Sequence, residues 1–342
     1  MTKPSLTFDR RTLLRTSSAM AVSAAAATLT LSGESKAATQ AQAEASPENG
    51  GGYYRFRVGD FQATVISDGH GQVPLGPIFA PNASETDFKA TLRANFMEPM
   101  VQGTSNILVV DTGRERILID SGWGEKLGPA FGNFAKLQTN LQRAGIAPES
   151  IDLVVVSHGH LDHIGGLVTK AGTPAFPKAT FVFVDAEWNY WTGKQFEADV
   201  ARSPMPDSFK QGTVAAAKDS LPPIAPRTRF VKQGGEITTG VNYVAAPGHS
   251  PAHAAILFNS KNEQFLYMAD VVHNPVTSIQ HPEWTPVFDY DPVQAIKTRK
   301  SMLDRVASDR LLAMGYHFPF PALGHVVKQG HAYRWVPIQW VW

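Results

Sequence analysis

The sequence predicts a mixed α/β fold in which two β-sheets pack face to face with helices on their outer sides. Short strand patterns occur in two successive groups along the chain, and each group is followed by segments with helical periodicity. Apolar residues make up 43% of the 342 residues and charged residues 18%, a balance typical of a globular protein with a buried core. The sequence shows no repeat of fixed period, which argues against a solenoid.

The net charge and the cysteine content exclude several classes of function. The formal net charge is +1, so the bulk electrostatics give no reason to expect a nucleic acid or an acidic membrane as a partner. The chain contains no cysteine, which excludes disulfides, thiolate metal ligands and a cysteine nucleophile. Histidine, aspartate and glutamate therefore remain as the metal ligands to look for.

The start of the chain is interpreted as an export signal followed by a linker. Arg10 and Arg11 precede a mild apolar segment at 19–31, which is too short to span a bilayer. Residues 1–38 are typical of a twin-arginine signal, and 39–52 have the composition of a flexible linker. We expect the twin-arginine export machinery to carry the folded protein to the periplasm or the medium, with no stable membrane anchor.

The folded domain is expected to span residues 53–342. The segment 71–102 is rich in Pro, Gly and Asn and predicts a long loop with one short helix near 86–94, an insertion length typical of a functional or mobile segment. The other elements predicted in the first half are strands at 53–58, 61–67, 105–111, 116–120 and 151–156 and a helix over 134–144 that ends at Gly145.

The second half of the domain continues the alternation of strands and helices. Residues 203–226 contain five prolines and predict irregular structure around a short helix near 208–219. An amphipathic helix is predicted at 291–309, because Pro292 suits a first turn and apolar residues recur on one face. The remaining predicted elements are strands at 181–184, 241–246, 254–258, 264–268, 311–314 and 335–340 and a helix that carries Glu187, Trp188 and Trp191.

One motif, His158-Gly159-His160-Leu161-Asp162-His163, carries the strongest chemical signal in the chain. It follows an apolar run at 153–156 that reads as a buried strand. Three imidazoles and one carboxylate within six residues are costly to crowd together unless a cation gathers them. Neutral imidazole and carboxylate are ligands that zinc-like ions prefer, so the motif predicts a metal site.

Three further candidate ligands lie where predicted strands run out into loops. His249 follows the strand at 241–246, Asp270 the strand at 264–268, and His317 the strand at 311–314. Loops at strand ends meet at one edge of a sheet, which is the arrangement that a shared site with the His-rich motif requires.

With these motifs, the sequence resembles the metallo-β-lactamase superfamily over about residues 53–342. The resemblance implies an αββα four-layer sandwich and a site for two divalent metal ions, most often zinc, although manganese, iron and cobalt also accept these ligands. It implies that Asp270 bridges the two ions. The ligands implied for the first ion are His158, His160 and His249, and those for the second are Asp162, His163 and His317.

A two-metal site of this kind predicts a hydrolase. Two metals about 3.5–4 Å apart can share a hydroxide that exists at neutral pH and attacks the substrate, so no Ser, Cys or Lys nucleophile is needed. Asp270 is then a catalytic residue through its bridging position. For His273 two roles stay open: it protonates an alkoxide leaving group, or it holds Asp270 or a neighbouring ligand in place.

The segments Ala269-Asp270-Val271-Val272-His273 and Tyr316-His317-Phe318-Pro319 are similar to the methyl parathion hydrolase branch of the superfamily. This likeness implies hydrolysis of neutral phosphotriesters. The alternative is a lactonase that acts on acyl-homoserine lactones, or an arylesterase, with phosphotriester cleavage as a side reaction. A single-metal or metal-free binding protein without catalysis is less favoured, because no bridging ligand is replaced. A redox enzyme that uses iron, such as a persulfide dioxygenase, is a further alternative that the ligands alone leave open.

A neutral ester or lactone predicts an apolar pocket with few cationic groups. Five aromatic residues are candidates for its lining: Trp123, Phe131, Trp188, Trp191 and Phe196. The resemblance also implies a homodimer. The insertion at 71–102 and three tryptophans near the end of the chain, Trp335, Trp340 and Trp342, could supply its apolar interface.

Overall fold

The computed structural model describes residues 51–330 and 332–341. The proposed signal at 1–38, nearly all of the proposed linker at 39–52, and Trp342 lie outside the described residues. Within the described ranges, the strands form two seven-stranded sheets.

The first sheet contains the strands of the first half of the domain in sequential order. Neighbouring strands are antiparallel from β1 to β4 and parallel from β4 to β7. The strands are β1 (Tyr53–Val58), β2 (Phe61–Pro74), β3 (Met100–Asp111), β4 (Arg116–Ile119), β5 (Leu153–Val155), β6 (Thr180–Val184) and β7 (Thr228–Val231).

The second sheet contains the later strands, again in sequential order. Its pairs are antiparallel except for β11 and β12, which run parallel. The strands are β8 (Glu236–Thr238), β9 (Val241–Ala245), β10 (Ala254–Ser260), β11 (Glu263–Tyr267), β12 (Leu312–Met314), β13 (Leu323–Gln329) and β14 (Ala332–Pro337).

The two sheets pack against each other and enclose the core. The buried hydroxyl of Tyr243, in the second sheet, donates to the backbone oxygens of Val156 (3.0 Å) and Val182 (2.9 Å) beside the first. Phe56 and Phe265 meet edge to face across the same interface, with ring centroids 5.2 Å apart. Helices pack on the outer faces, so the predicted αββα four-layer architecture is confirmed. The helices are α1 (Leu75–Phe79), α2 (Glu85–Ala94), α3 (Gly124–Phe131), α4 (Leu137–Arg143), α5 (Leu161–Ile164), α6 (Asp185–Thr192), α7 (Gln195–Arg202), α8 (Asp207–Ile224), α9 (Thr277–Gln280) and α10 (Pro292–Ser308).

Two helix boundaries follow directly from local sequence. The carboxylate of Asp291 accepts a hydrogen bond from the backbone N–H of Gln294 (3.0 Å) and caps α10, whose first residue is the predicted Pro292. Gly145 has a φ of +71°, the left-handed conformation that favours glycine after a helix, and it follows α4 as predicted.

The prediction of a long loop at 71–102 is wrong at both ends. Strand β2 continues to Pro74 and β3 begins at Met100, and the two pair along this extension. Gly69, with a φ of +109°, lies at a register shift in β2, and glycines further along both strands obscure the alternation that marks a strand. Between the two strands lie α1 and α2, of which only α2 was predicted.

The segment with five prolines is also more regular than predicted. Helix α8 extends through Pro222 and Pro223 to Ile224, because its buried face, which includes Ala217 and Leu221, packs on the core. Helices α1, α3, α7 and α9 and strands β7, β8 and β13 were not predicted, and the last strand lies a few residues before its predicted position. Among the helices of the described residues, none combines the length and the apolar character needed to cross a membrane.

Candidate metal centre

The His-rich motif occupies the loop and short helix that follow β5. His158 and His160 lie in the loop, and Asp162 and His163 lie on α5. All four side chains are buried. The motif therefore directs three imidazoles and one carboxylate into the interior at the ends of the strands.

The three separate candidates lie at the same edge. His249 follows β9, Asp270 lies in a single turn of 3₁₀-helix (Ala269–Val271) after β11, and His317 follows β12. His249 and Asp270 are buried, and the His317 side chain is 15% exposed. The structure thus brings together all seven residues that the sequence proposed as ligands.

The first group of ligand atoms consists of three imidazole nitrogens. Nδ1 of His160 lies 3.0 Å from Nε2 of His158 and 2.9 Å from Nε2 of His249. Burial lowers the pKa of both His158 and His160 well below the usual value, so these rings are neutral and present lone pairs. Three converging imidazole nitrogens are the donor set of a tetrahedral metal site with one position open.

The second group consists of Asp162, His163 and His317. Oδ2 of Asp162 lies 3.8 Å from Nε2 of His163 and 3.4 Å from Nε2 of His317. Asp270 lies between the two groups: its Oδ1 is 3.3 Å from His163 Nε2, and its Oδ2 is 3.3 Å from both His249 Nε2 and His317 Nε2. This carboxylate is the one placed to contact ions in both groups.

The residues present fit two divalent cations. His163 Nε2 and Asp270 Oδ1 are buried and have no hydrogen-bond partner among the described residues, as expected of atoms that a metal would satisfy. The protonation of the metal-free centre also shows its preference for positive charge. Burial lowers the pKa of His163, but Asp270, Asp120 and Asp162 outweigh it and raise this pKa well above the usual value. Burial raises the pKa of Asp270, but His317, His163 and His273 lower it well below the usual value, so it stays a carboxylate.

Asp120, at the end of β4, organises the second group and was not singled out from the sequence. It is fully buried and accepts hydrogen bonds from Nδ1 of His163 (2.8 Å), from the backbone N–H and the hydroxyl of Ser157 (both 2.8 Å) and from the hydroxyl of Tyr267 (2.7 Å). The bond from Nδ1 leaves Nε2 of His163 directed at the centre. The sequence signal that could have identified Asp120 is its position as a carboxylate at the end of a predicted apolar strand.

Other neighbours orient the remaining ligands. Nδ1 of His249 lies 2.9 Å from Oδ1 of Asp289, and Nδ1 of His317 lies 2.9 Å from the backbone oxygen of Thr104. Burial lowers the pKa of His249, but hydrogen bonds to Asp270 and Asp289 raise it to about 9. His253 accepts a hydrogen bond from the backbone N–H of Asp270 at Nε2 (3.2 Å), which fixes the turn that presents this carboxylate.

An apolar cavity of about 280 Å³ opens onto the centre. Asp270, His249 and His317 form its floor, and helix α1 supplies part of its wall. None of its lining residues, all within the described part of the chain, is a lysine or an arginine. Its apolar wall includes Leu75, Ile78, Phe79, Trp123, Phe131, Phe134, Met205, Phe209 and Phe288.

Two of the five aromatic residues proposed for the pocket, Trp123 and Phe131, line this cavity. The other three do not line this cavity, but Trp191 lines a second cavity that also contacts His160 and His249. Trp188 packs against Phe183 and Phe230, Trp191 lies edge-on to His160, and Phe196 packs against Trp191. Trp191 thus contacts a candidate ligand, whereas the prediction of Trp188 and Phe196 as pocket residues is wrong.

His273 lines the cavity beside Asp270, with its Nε2 3.3 Å from Oδ2 of that residue. Its ring stacks on His317 with the centroids 5.6 Å apart. Burial lowers the pKa of His273 to about 4, so the imidazole is neutral at neutral pH. Neither ring nitrogen has a hydrogen-bond partner among the described residues, which leaves both available to a ligand in the cavity.

The chain is similar in fold to solved structures, including those of AidC and AbOPH. It is similar to AidC, a dizinc quorum-quenching lactonase in complex with a product, with 27% identity and a TM-score of 0.75 over 85% of this chain and 98% of that chain. It is also similar to AbOPH, a hydrolase in the beta lactamase superfamily, with 28% identity and a TM-score of 0.76 over 86% of this chain and 100% of that chain.

Sequence comparison agrees with the fold. An N-acyl homoserine lactonase from Bacillus thuringiensis is 21% identical over 197 residues, which cover 58% of this chain and 64% of that protein. The chain covers less than two thirds of the length of the curated relatives that it matches. The family model of the metallo-beta-lactamase superfamily matches residues 100–317, more than half of the chain, and this protein therefore belongs to that superfamily.

Proposed function

We propose that the protein is a dinuclear metal-dependent hydrolase that opens lactones, with N-acyl homoserine lactones as the substrate class. The observation that carries this proposal is the apolar cavity, lined by no lysine or arginine, that opens directly onto Asp270, His249 and His317. A lactone is neutral and an acyl chain is apolar, so both suit such a site. The similarity to the dizinc lactonase AidC over nearly the whole of that chain supports the same reading.

The chemistry divides between the metals and the chain. When bound, two divalent ions would activate water as a nucleophile and polarise the carbonyl oxygen of the substrate. Asp270 stays ionised at neutral pH and holds the two ligand groups at a fixed separation. The aromatic wall excludes water and packs against the acyl chain. The neutral imidazole of His273 lies beside Asp270, within the same cavity, where it can hydrogen-bond to the alkoxide released on ring opening.

Phosphotriesters of the methyl parathion type, and aryl esters, are the second candidate. The same observation favours them in part, because a triester carries no net charge and needs no lysine or arginine in its pocket. His273 supports this candidate through the resemblance of its segment to the methyl parathion hydrolase branch. An aryl leaving group would make little use of a hydrogen-bond donor at this position.

The test is the ratio of kcat/KM values of the zinc-reconstituted protein for hexanoyl-homoserine lactone, methyl parathion and an aryl acetate. We expect the lactone to lead by at least about tenfold. A lead for methyl parathion would replace the proposal with the second candidate. Activity on none of the three, with two zinc ions bound per chain, would contradict both.

We also propose that the protein is exported by the twin-arginine machinery and forms a homodimer. The two arginines near the start of the chain support export, and their replacement by lysine should retain the protein in the cytoplasm. Phe96, between β2 and β3, is 99% exposed, and Met100, the first residue of β3, is 50% exposed, which supports an apolar contact there. Light scattering of the wild type and of Phe96→Asp tests it, since the variant should be monomeric.

A further inference from the structure

Glu187, on α6, is a fully buried carboxylate that belongs to neither ligand group. Its Oε1 accepts hydrogen bonds from the backbone N–H of Gly159 (3.1 Å), the indole N–H of Trp191 (2.6 Å) and the hydroxyl of Ser250 (2.6 Å). Its Oε2 accepts one from the backbone N–H of Ala252 (2.9 Å). Both oxygens of this buried carboxylate accept hydrogen bonds, so the side chain is held in one position.

The partners of Glu187 belong to the two loops that carry the first ligand group. Gly159 lies between His158 and His160, while Ser250 and Ala252 follow His249. One side chain therefore joins the loop after β5 to the loop after β9. These loops come from different sheets, whose strands are not paired with each other, although the backbone N–H of Ala254 donates to the oxygen of Ser157 (3.1 Å) nearby.

Trp191 completes this arrangement. Its indole donates to Glu187 and lies edge-on to the ring of His160, with the centroids 5.4 Å apart. A Cβ atom at position 159 would lie 2.4 Å from the indole, so the loop can approach this closely only with glycine there. The middle residue of His158-Gly159-His160 is thus set by its contact with α6.

The surroundings of Glu187 suit the ionised form. Two of its donors are backbone N–H groups and one is an indole N–H. None of these three groups can accept a hydrogen bond from a protonated carboxyl. Burial raises the pKa of Glu187, and the hydrogen bonds from Ser250, Trp191, Ala252 and Gly159 oppose that rise. A glutamine at position 187 would place its side-chain NH₂ group against N–H donors of the neighbouring residues.

We propose that Glu187 is a positioning residue for the first metal ion: it sets the spacing of His158, His160 and His249 and thereby the affinity of that group for the ion. The second group depends on Asp120 and on the backbone of Thr104 instead. Residues that orient ligands from behind in this way typically change metal affinity by about 10- to 100-fold when replaced. The proposal concerns metal binding and stands apart from the choice of substrate.

The experiment is a calorimetric titration of the metal-free full-length protein with zinc, for the wild type and Glu187→Gln. We expect two equivalents in the wild type. In the variant, one equivalent should weaken by about 10- to 100-fold while the other keeps its affinity. Anomalous scattering from crystals of the variant grown at limiting zinc should show lower zinc occupancy in the group of His158, His160 and His249 than in the second group.

Asp185→Asn is the matched control. Asp185 lies on the same helix, but its carboxylate pairs with Lys232 at the surface, so both equivalents should bind as in the wild type. Ser250→Ala removes one donor and keeps the carboxylate; it should weaken the same equivalent by a smaller factor, and it carries the test if Glu187→Gln does not fold. Equal weakening of both equivalents in these variants, or no weakening of either, would overturn the proposal.

Discussion

The carboxylate of Asp289 connects a candidate metal ligand to a buried arginine: its Oδ1 lies 2.9 Å from Nδ1 of His249, and its Oδ2 lies 3.1 Å from the guanidinium of Arg299. Both Asp289 and Arg299 are almost completely inaccessible to solvent. Arg299, on α10, also donates to the backbone oxygens of Val271, Pro282 and Trp284. The orientation of His249 is therefore fixed by a helix on the outer face of the second sheet.

Asp289→Asn should weaken this connection. The variant leaves the Arg299 charge buried and uncompensated, and breaking a buried pair in this way costs about 3–5 kcal/mol. Urea unfolding of the metal-free protein measures the loss. Asp304→Asn, which removes a surface pair with Lys328, should leave the unfolding midpoint almost unchanged. Equal midpoints for wild type and Asp289→Asn would show that the buried pair contributes nothing.

Asp270→Ala should lose most of the metal in the second group and nearly all hydrolysis. This carboxylate contacts ligand atoms of both groups, so its removal leaves neither ion with its full donor set. Metal content per chain after dialysis and kcat/KM on the best substrate measure the effect. Full activity with two ions bound would rule out a bridging role for this residue.

His273→Phe should separate substrates by their leaving groups. The N–H of a neutral imidazole can stabilise an alkoxide by a hydrogen bond, whereas a nitrophenolate is stable without one. The value of kcat for the lactone should therefore fall about 10- to 100-fold, and kcat for a nitrophenyl ester should fall much less. A ratio of the two kcat values equal to that of the wild type would instead favour the other role, in which His273 holds Asp270 in place.

Asp68 gives the folded state a pH dependence. It is fully buried, and it accepts hydrogen bonds from the backbone N–H groups of Trp123 and Leu137 (both 2.8 Å). Burial raises its pKa from 3.8 to about 7. Because the pKa is higher in the folded state, Asp68 contributes stability that is complete below about pH 4 and is lost as the pH rises to about 7.

The wild type should accordingly lose up to about 4 kcal/mol relative to Asp68→Asn between about pH 4 and pH 7. Urea unfolding of both metal-free proteins across this range measures the difference. A difference in free energy of unfolding that does not vary with pH would contradict the raised pKa.

Phe288 should limit the size of the substrate. A second cavity of about 500 Å³ lies beside the first, and Phe288, Met205, His160 and His249 line both. Phe288→Ala removes part of the shared wall, and each additional CH₂ buried contributes about 0.8 kcal/mol. The kcat/KM ratio of dodecanoyl- to hexanoyl-homoserine lactone should rise about tenfold, which corresponds to the burial of about two of the additional CH₂ groups. The exposed Phe96 offers a control, since Phe96→Ala should leave this ratio unchanged.

The ligand cluster could be predicted from sequence because its chemistry is local. The motif from His158 to His163 cannot be read as a strand or a helix face, and the other three candidates each follow a clear apolar strand. The supporting residues could not be found in this way. Asp120, Glu187 and Asp289 act through contacts with residues 28 or more positions away, which no spacing in the sequence records.

The secondary structure was likewise predicted correctly where the local sequence pattern is strong and missed where it is interrupted. Strands with strong alternation and the capped helix α10 were predicted close to their observed bounds. The extension of β2 and β3 was missed because glycines interrupt its pattern, while α8 was shortened because prolines outweighed its buried face. For the pocket, Trp188 was assigned correctly to a helix and incorrectly to a cavity, since sequence does not show which side of a helix faces the site.

The first ligand group draws on both sheets: His158 and His160 follow β5 of the first, and His249 follows β9 of the second. An ion bound by all three acts as a crosslink between parts of the chain 89 residues apart. It can form only after both halves have folded, so loading comes late in folding, and it must break before the halves separate. Bound metal should therefore slow unfolding and protect the chain from proteases, which makes the lifetime of the protein in a protease-rich setting depend on the supply of metal around it.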